Sequence, residues 1–170
     1  MATPGVGVGS ASQGSAAGAI ELKLRAERVV KAGAGWFITV AVLSLVNSVL
    51  SMTGAPIRFI FGLGVSELVD ALAHQAGQTG FTLDLIINGL VAAVFVLFWK
   101  FARQGAQWAF IVGMAIYALD AVLVLYFKDI LAAAFHAYAL YRMYTGMSGI
   151  PALQKSQQAM VSAGAPIQPR

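Results

Sequence analysis

The sequence predicts an all-α membrane protein: a bundle of four transmembrane helices, with a short interfacial or re-entrant outer helix between spans 1 and 2. Composition predicts the class. Of 170 residues, 59% are hydrophobic and 11% are Asp, Glu, Lys or Arg, whereas roughly 25% are charged in an ordinary soluble domain. A mean hydropathy of +0.77 also excludes a chain that is disordered throughout, because disorder requires low hydrophobicity and high net charge.

The chain begins with a segment that has no means of forming a core. Residues 1–19 are small or polar, with no charged and no aromatic side chain, so they are predicted to be a flexible tail. The tail lacks the basic start and compact apolar centre of a cleaved signal peptide, and we expect it to remain on the mature protein. Residues 20–35 follow as a juxtamembrane charged helix, because Glu21–Arg25 and Glu27–Lys31 have the favourable i,i+4 spacing.

Four apolar segments follow, each close to the roughly 20 residues that a helix needs to cross about 30 Å of hydrocarbon. They are residues 36–52, 83–101, 108–127 and 130–144, and together they define a membrane domain over 36–146. A fifth stretch, 59–73, contains Glu67 and Asp70, and glycines interrupt it. Because charges inside a span are costly, this stretch predicts an outer helix at about 66–76.

The basic residues decide the number of spans, because short cytoplasmic loops retain Lys and Arg. A fifth span would move Lys100 and Arg103 to the outer side. With four spans and an internal N-terminus, only Arg58 and Lys128 fall outside, and most basic residues fall inside: Lys23, Arg25, Arg28, Lys31, Lys100, Arg103, Arg142 and Lys155. The prediction is a multi-pass plasma (inner) membrane protein with both termini cytoplasmic. Gly149 and Pro151 predict the end of the last helix and a flexible cytoplasmic tail over 147–170.

Polar residues at one depth of the predicted bundle are the candidate site. Asp120 and His136 are equally far in sequence from the turn at Lys128, and Asn88 and Asp120 are equally far from the turn at Gln104. In antiparallel helices joined by tight turns, equal separation means equal depth. One layer in the outer half of the bundle is therefore predicted to contain Asn47, Asn88, Asp120 and His136.

Two hypotheses remain open for this layer. Its side chains are either interhelical hydrogen-bonding groups that hold the bundle together, or a site for a proton, a metal or a small ligand. The outer helix adds Glu67, Asp70 and His74, which share one helix face at i, i+3 and i+7. That face either meets water or folds over the bundle toward Asp120 and His136, where Asp84 would add another carboxylate.

No complete catalytic signature accompanies these residues. The sequence has no cysteine and no HExxH or paired ExxH motif, so metal and cofactor stay unassigned. Nucleic acid is excluded as a partner, because the basic residues sort by membrane side. The lipid bilayer is the predicted environment.

We expect a structural or accessory protein rather than an enzyme; a transporter or intramembrane enzyme is the alternative. Small residues predict helix contacts within the bundle, with a second copy or with a larger membrane complex: Ser44, Ser48, Gly89, Ala93 and Ala132–Ala134.

Overall fold

A computed structural model describes residues 8–52 and 78–162, which form helices with no strand among them; within 78–162 the helices are joined by short turns. The helices are α1 (Val8–Met52), α2 (Gln78–Arg103), α3 (Gln107–Tyr126), α4 (Ile130–Ser148) and α5 (Ile150–Ser162). The all-α prediction is confirmed. The predicted outer helix at about 66–76, with Glu67, Asp70 and His74, lies outside the described residues.

Three of these helices are long and apolar enough to cross a membrane. The segments are Ala17–Leu50 in α1, Leu85–Arg103 in α2 and Gln107–Tyr126 in α3. They correspond to the first three predicted spans. Helix α4 has a similar length of 19 residues but carries His136 and Arg142, which lower its hydropathy. The transmembrane class is thus supported by three helices, and the fourth span remains a prediction.

Helix α1 is longer than the bilayer requires. Its 45 residues extend about 67 Å at 1.5 Å per residue, about twice the thickness of the hydrocarbon core. One continuous helix replaces the flexible tail predicted over 1–19, from Val8 onward, and joins the charged helix at 20–35 to the first span. Within the charged segment, Ala26 and Val30 are buried in one cluster with residues of α5, and such tertiary packing supplies most helix stability.

Helix α5 lies where the sequence predicts a flexible tail over 147–170. Gly149 ends α4, but Pro151 stands in the first turn of α5, where a helix tolerates the missing N–H. The two residues therefore separate two helices instead of ending the helical region. The buried side chains of α5 recur every three or four residues, as one apolar face requires, and this face packs on α1: Ile150, Leu153, Ser156 and Met160.

Aromatic rings fill the core between α1, α2 and α3. The ring of Phe37 lies 6.2 Å from that of Phe95 and 5.8 Å from that of Phe110, centroid to centroid. Gly113 makes room for Phe37, because a Cβ on Gly113 would stand 2.5 Å from the Phe37 ring. Phe95 in turn meets Tyr117 edge-on at 6.0 Å, so a continuous aromatic path leads from α1 to α3.

Helices α1 and α4 cross with their backbones in contact at two glycines. A Cβ on Gly146 would lie 2.5 Å from the Cα of Gly33, and a Cβ on Gly33 would overlap the Gly146 backbone. Small residues permit this kind of approach between membrane helices. The predicted small-residue contacts do not include this crossing. Gly33 and Gly146 lie far apart in sequence, and neither is part of a predicted small-residue pattern.

The two turns inside the bundle share one hydrogen-bonding pattern. After α2, Gly105 has φ 80°, its N–H donates to Ala102 O, and the N–H of Ala106 donates to Phe101 O. After α3, Lys128 has φ 61° and occupies the same position as Gly105 in the pattern. Both turns are Schellman motifs, with a left-handed residue just past the helix end. Each turn reverses the chain within a few residues.

Candidate functional site

The candidate site is centred on a contact between α3 and α4. The Asp120 Oδ2 atom lies 2.9 Å from the His136 Nε2 atom, and the two side chains are 4% and 0% exposed. The pair joins two antiparallel helices, as their equal distance from Lys128 predicts. Both groups are ionisable, and both are enclosed by the bundle.

Both ring nitrogens of His136 have hydrogen-bond partners. Its Nδ1 atom lies 2.8 Å from Ala132 O, one turn earlier on the same helix. Its Nε2 atom faces Asp120 Oδ2 across the α3–α4 contact at 2.9 Å. The imidazole ring is therefore anchored at both nitrogens, once to its own helix and once to α3.

Tyr117 adds a third group to the pair. It precedes Asp120 by three residues on α3, and such residues share a helix face. The Tyr117 ring stacks on the His136 ring at 4.5 Å with an interplanar angle of 15°. Its hydroxyl is buried, and no atom in the described part of the chain forms a hydrogen bond with it. The stacking packs the His136 ring against α3.

A second buried polar contact joins α1 to α2. The Asn88 Nδ2 atom donates to Ser48 Oγ at 2.8 Å, and the neighbouring Asn47 is 4% exposed. The sequence predicts Asn47 and Asn88 for the layer but lists Ser48 only as a small packing residue. The i,i+4 spacing of Ser44 and Ser48 places them on one helix face and could have indicated a polar stripe. In the structure both are buried.

All four layer residues are buried in the bundle. The hydrogen bonds in the layer form two separate contacts, one between α3 and α4 and one between α1 and α2. Asp120 and His136 bond directly across α3 and α4, whereas the amide nitrogen of Asn88 bonds to Ser48. Tyr117 and Ser48 join the predicted set. Glu67, Asp70 and His74 lie outside the described residues, as does the side chain of Asp84.

The donor set of the described residues suits hydrogen bonding and proton exchange. Among the side chains that the structure describes, 17–50 and 85–162, no group of three His, Cys, Asp or Glu converges as a metal site would require. An acid and an imidazole at hydrogen-bonding distance form the basic unit of an intramembrane proton relay, and the same contact also serves as an interhelical link.

Comparison with protein-family models, with curated proteins and with solved structures gives no match for this chain. The function must therefore be argued from the geometry.

Proposed function

We propose that this protein is a small integral membrane protein with four spans and a structural or accessory role. The single observation that supports this role is that the buried polar groups form hydrogen bonds between helices. The two hydrogen bonds Asp120–His136 and Ser48–Asn88 each link two helices, and both ring nitrogens of His136 have partners. Side chains whose hydrogen bonds are satisfied between helices hold a bundle together.

The packing of α4 supports a fourth span. It follows α3 after a turn of three residues and runs back along it, so a span in α3 implies that α4 crosses the same slab. Its most polar core residue, His136, is turned onto Asp120. The face that α4 exposes is apolar or aromatic, as a lipid-facing surface requires: Ile130, Leu131, Tyr138, Tyr141 and Tyr144.

The charge distribution supports cytoplasmic termini in the plasma (inner) membrane. Basic residues concentrate at the end of the bundle that carries the Gln104–Gly105 turn, the projecting part of α1 and α5, while Lys128 lies at the opposite end. Because basic loops stay in the cytoplasm, the end with the projecting helices is assigned to the cytoplasmic side.

The absence of cysteine makes this topology directly testable. Single cysteines at Lys128, Gln104 and Gln158 are labelled with a membrane-impermeant maleimide, before and after permeabilisation. Four spans predict that Lys128→Cys is labelled in intact cells and that Gln104→Cys and Gln158→Cys require permeabilisation. Labelling of Gln158→Cys from the same side as Lys128→Cys would show that α4 does not cross.

An accessory role requires a partner, for which we propose a second copy or a larger membrane complex that contacts α2. A Cβ added at Gly89 would meet no atom within 4 Å, and Ala93 is exposed one turn later. This small-xxx-small pair therefore leaves room for another helix. Native mass spectrometry of Ala93→Leu beside wild type tests it: loss of an oligomer supports the contact, and an unchanged assembly contradicts it.

The second candidate function is a transporter or intramembrane enzyme that binds a proton or small polar ligand at Asp120 and His136. The Tyr117 hydroxyl favours it, because a buried hydroxyl beside the pair is left for a water or ligand. Tyr117→Phe separates the two functions. If the hydroxyl has no partner, its removal leaves thermal stability unchanged or raises it; a loss of roughly 1 kcal/mol or more indicates a bound water or ligand.

A further inference from the structure

An arginine in the seam between α1 and α4 has no acceptor for its buried nitrogen. The Arg142 Nε atom is enclosed, and within the described residues nothing accepts a hydrogen bond from it. No described carboxylate forms an ion pair with this guanidinium. Arg142 is half-buried, and its guanidinium is always charged and only donates, so the enclosed Nε–H without an acceptor is costly. An anionic partner from outside the described chain would remove that cost.

The surroundings of Arg142 are those of a membrane interface. Tyr138, one turn earlier on α4, meets Trp36 of α1 edge-on at 5.2 Å. Tyr141 and Tyr144, on either side of Arg142, are 62% and 57% exposed. Tyr and Trp concentrate at the level of lipid headgroups. The aromatic side chains therefore place the guanidinium close to the level at which headgroup phosphates lie.

The α1–α4 crossing fixes the geometry of this seam. A Cβ on Gly33 would lie 3.0 Å from the carbonyl oxygen of Arg142, and Gly146 follows one turn later at the helix contact. The backbone that carries Arg142 is therefore held against α1 at a close-packed point. The close-packed backbone fixes where the arginine side chain starts, and its planar fork suits bidentate contact with a phosphate group.

The described acids in the first half of α1 are engaged with basic residues of α1 itself. Glu21 pairs with Arg25 at 2.6 Å, and Glu27 lies 3.0 Å from Lys31 and 3.8 Å from Lys23. At the basic end of the bundle, the positive charge of Arg142 is therefore not offset by any described carboxylate. Anionic lipids are attracted to such a surface.

We propose that Arg142, in the α1–α4 seam, binds the phosphate of an anionic phospholipid in the leaflet at the basic end of the bundle. The proposal rests on the four-span arrangement, which brings this part of α4 to the interface. A soluble phosphate has the same chemistry, so the experiment must separate the two sources.

The test is the thermal unfolding of the full chain in nanodiscs of phosphatidylcholine alone or mixed with phosphatidylglycerol. Phosphatidylglycerol is expected to raise the melting temperature of wild type by about 2–4 °C, the change that a stabilisation of about 1 kcal/mol produces in a chain of this size. Arg142→Gln should lose this increase. Arg28→Gln, the matched control, removes an exposed arginine from α1 at the same end and should retain it. Inorganic phosphate in neutral nanodiscs should have no effect.

Three outcomes would overturn the proposal. They are an Arg142→Gln variant that retains the increase, an Arg28→Gln variant that loses it to the same extent, and inorganic phosphate that reproduces it. If Arg142→Gln does not fold, native mass spectrometry of wild type and Arg142→Lys decides: wild type should retain phosphatidylglycerol in preference to phosphatidylcholine, and the lysine variant should retain less. Cysteine labelling tests the four spans separately, so failure of the lipid site is distinguishable from failure of the topology.

Discussion

At the scale of single residues, the Asp120–His136 contact illustrates how a buried pair depends on both members. The two groups form a hydrogen bond with each other inside the bundle. When one group is removed, the other becomes a buried polar group without its partner, which costs about 1–3 kcal/mol. When both are replaced by apolar side chains, neither cost arises, and packing alone determines the result.

A double-mutant cycle tests this dependence. Asp120→Leu and His136→Leu should each lower the free energy of unfolding by about 1–3 kcal/mol, and the double variant should lose less than the two single losses added together. Unfolding by denaturing detergent, followed by circular dichroism, measures each value. Asp120→Leu combined with Ser48→Ala is the control, because that second contact joins other helices and the losses should add. Full additivity in the Asp120–His136 cycle would contradict a direct link.

Alanine substitutions at two glycines of α1, two residues apart, are expected to have opposite effects on stability. Gly33→Ala places a methyl group against the Gly146 backbone, and because the backbone cannot rotate away as a side chain does, we expect a loss of about 2 kcal/mol or more. Gly35→Ala meets nothing within 4 Å and should stabilise the helix by up to about 1 kcal/mol. The same detergent unfolding assay compares them, and equal effects would show that α1 and α4 do not touch at Gly33.

At the scale of elements, the two turns place different residues in the same left-handed conformation. Glycine occupies it without strain at Gly105, whereas Lys128 bears the cost of its Cβ at φ 61°, roughly 1–2 kcal/mol. Asp129 then begins α4, because its carboxylate accepts from the N–H of Ala132 at 3.0 Å. The α3–α4 turn is therefore strained at one residue and capped at the next.

Substitution at the strained residue should stabilise the protein. Lys128→Gly is expected to raise the free energy of unfolding by about 1 kcal/mol, and Gly105→Ala to lower it by a similar amount. Lys128→Gln is the matched control, since it removes the charge and keeps the Cβ. Thermal unfolding distinguishes the variants: if Lys128→Gln stabilises as much as Lys128→Gly, the charge rather than the backbone is responsible.

Sequence patterns predict the elements whose signals are local. Apolar length locates α2, α3 and α4 to within a few residues, and the spacing around Lys128 brings Asp120 to His136, because tight turns fix depth. The extent of α1 and the existence of α5 were not predicted, since each helix depends on packing against the other. The Gly33–Gly146 crossing also escaped prediction, because a contact between residues so far apart in sequence has no local signature. The hydroxyl of Tyr117 and the role of Ser48 depend on facing, which sequence separation does not determine.

At the scale of the whole molecule, α1 organises the structure. It contacts α2, α4 and α5, and its core side chains run from Ala26 near the basic end to Ser48 at the polar contact with Asn88. Because α1 is about twice as long as a bilayer is thick, the proposed spans leave its first half, together with α5, outside the hydrocarbon core. The bundle and this two-helix projection are thus parts of one continuous helix framework.

The projection depends on α5 covering the apolar face of α1. Leu153 is 5% exposed and belongs to the same core cluster as Ala26 and Val30, so Leu153→Asp puts a charge into this interface. Gln154→Asp adds the same charge at the exposed next residue and is the matched control.

Proteolysis requires local opening, and a loss of about 1.4 kcal/mol in the free energy of opening makes opening tenfold more frequent. Because burying an unpaired charge costs more than this, trypsin should cleave Leu153→Asp at Arg25 and Arg28 at least about ten times faster than wild type, with Gln154→Asp unchanged. Equal cleavage of all three proteins would show that α5 does not protect α1.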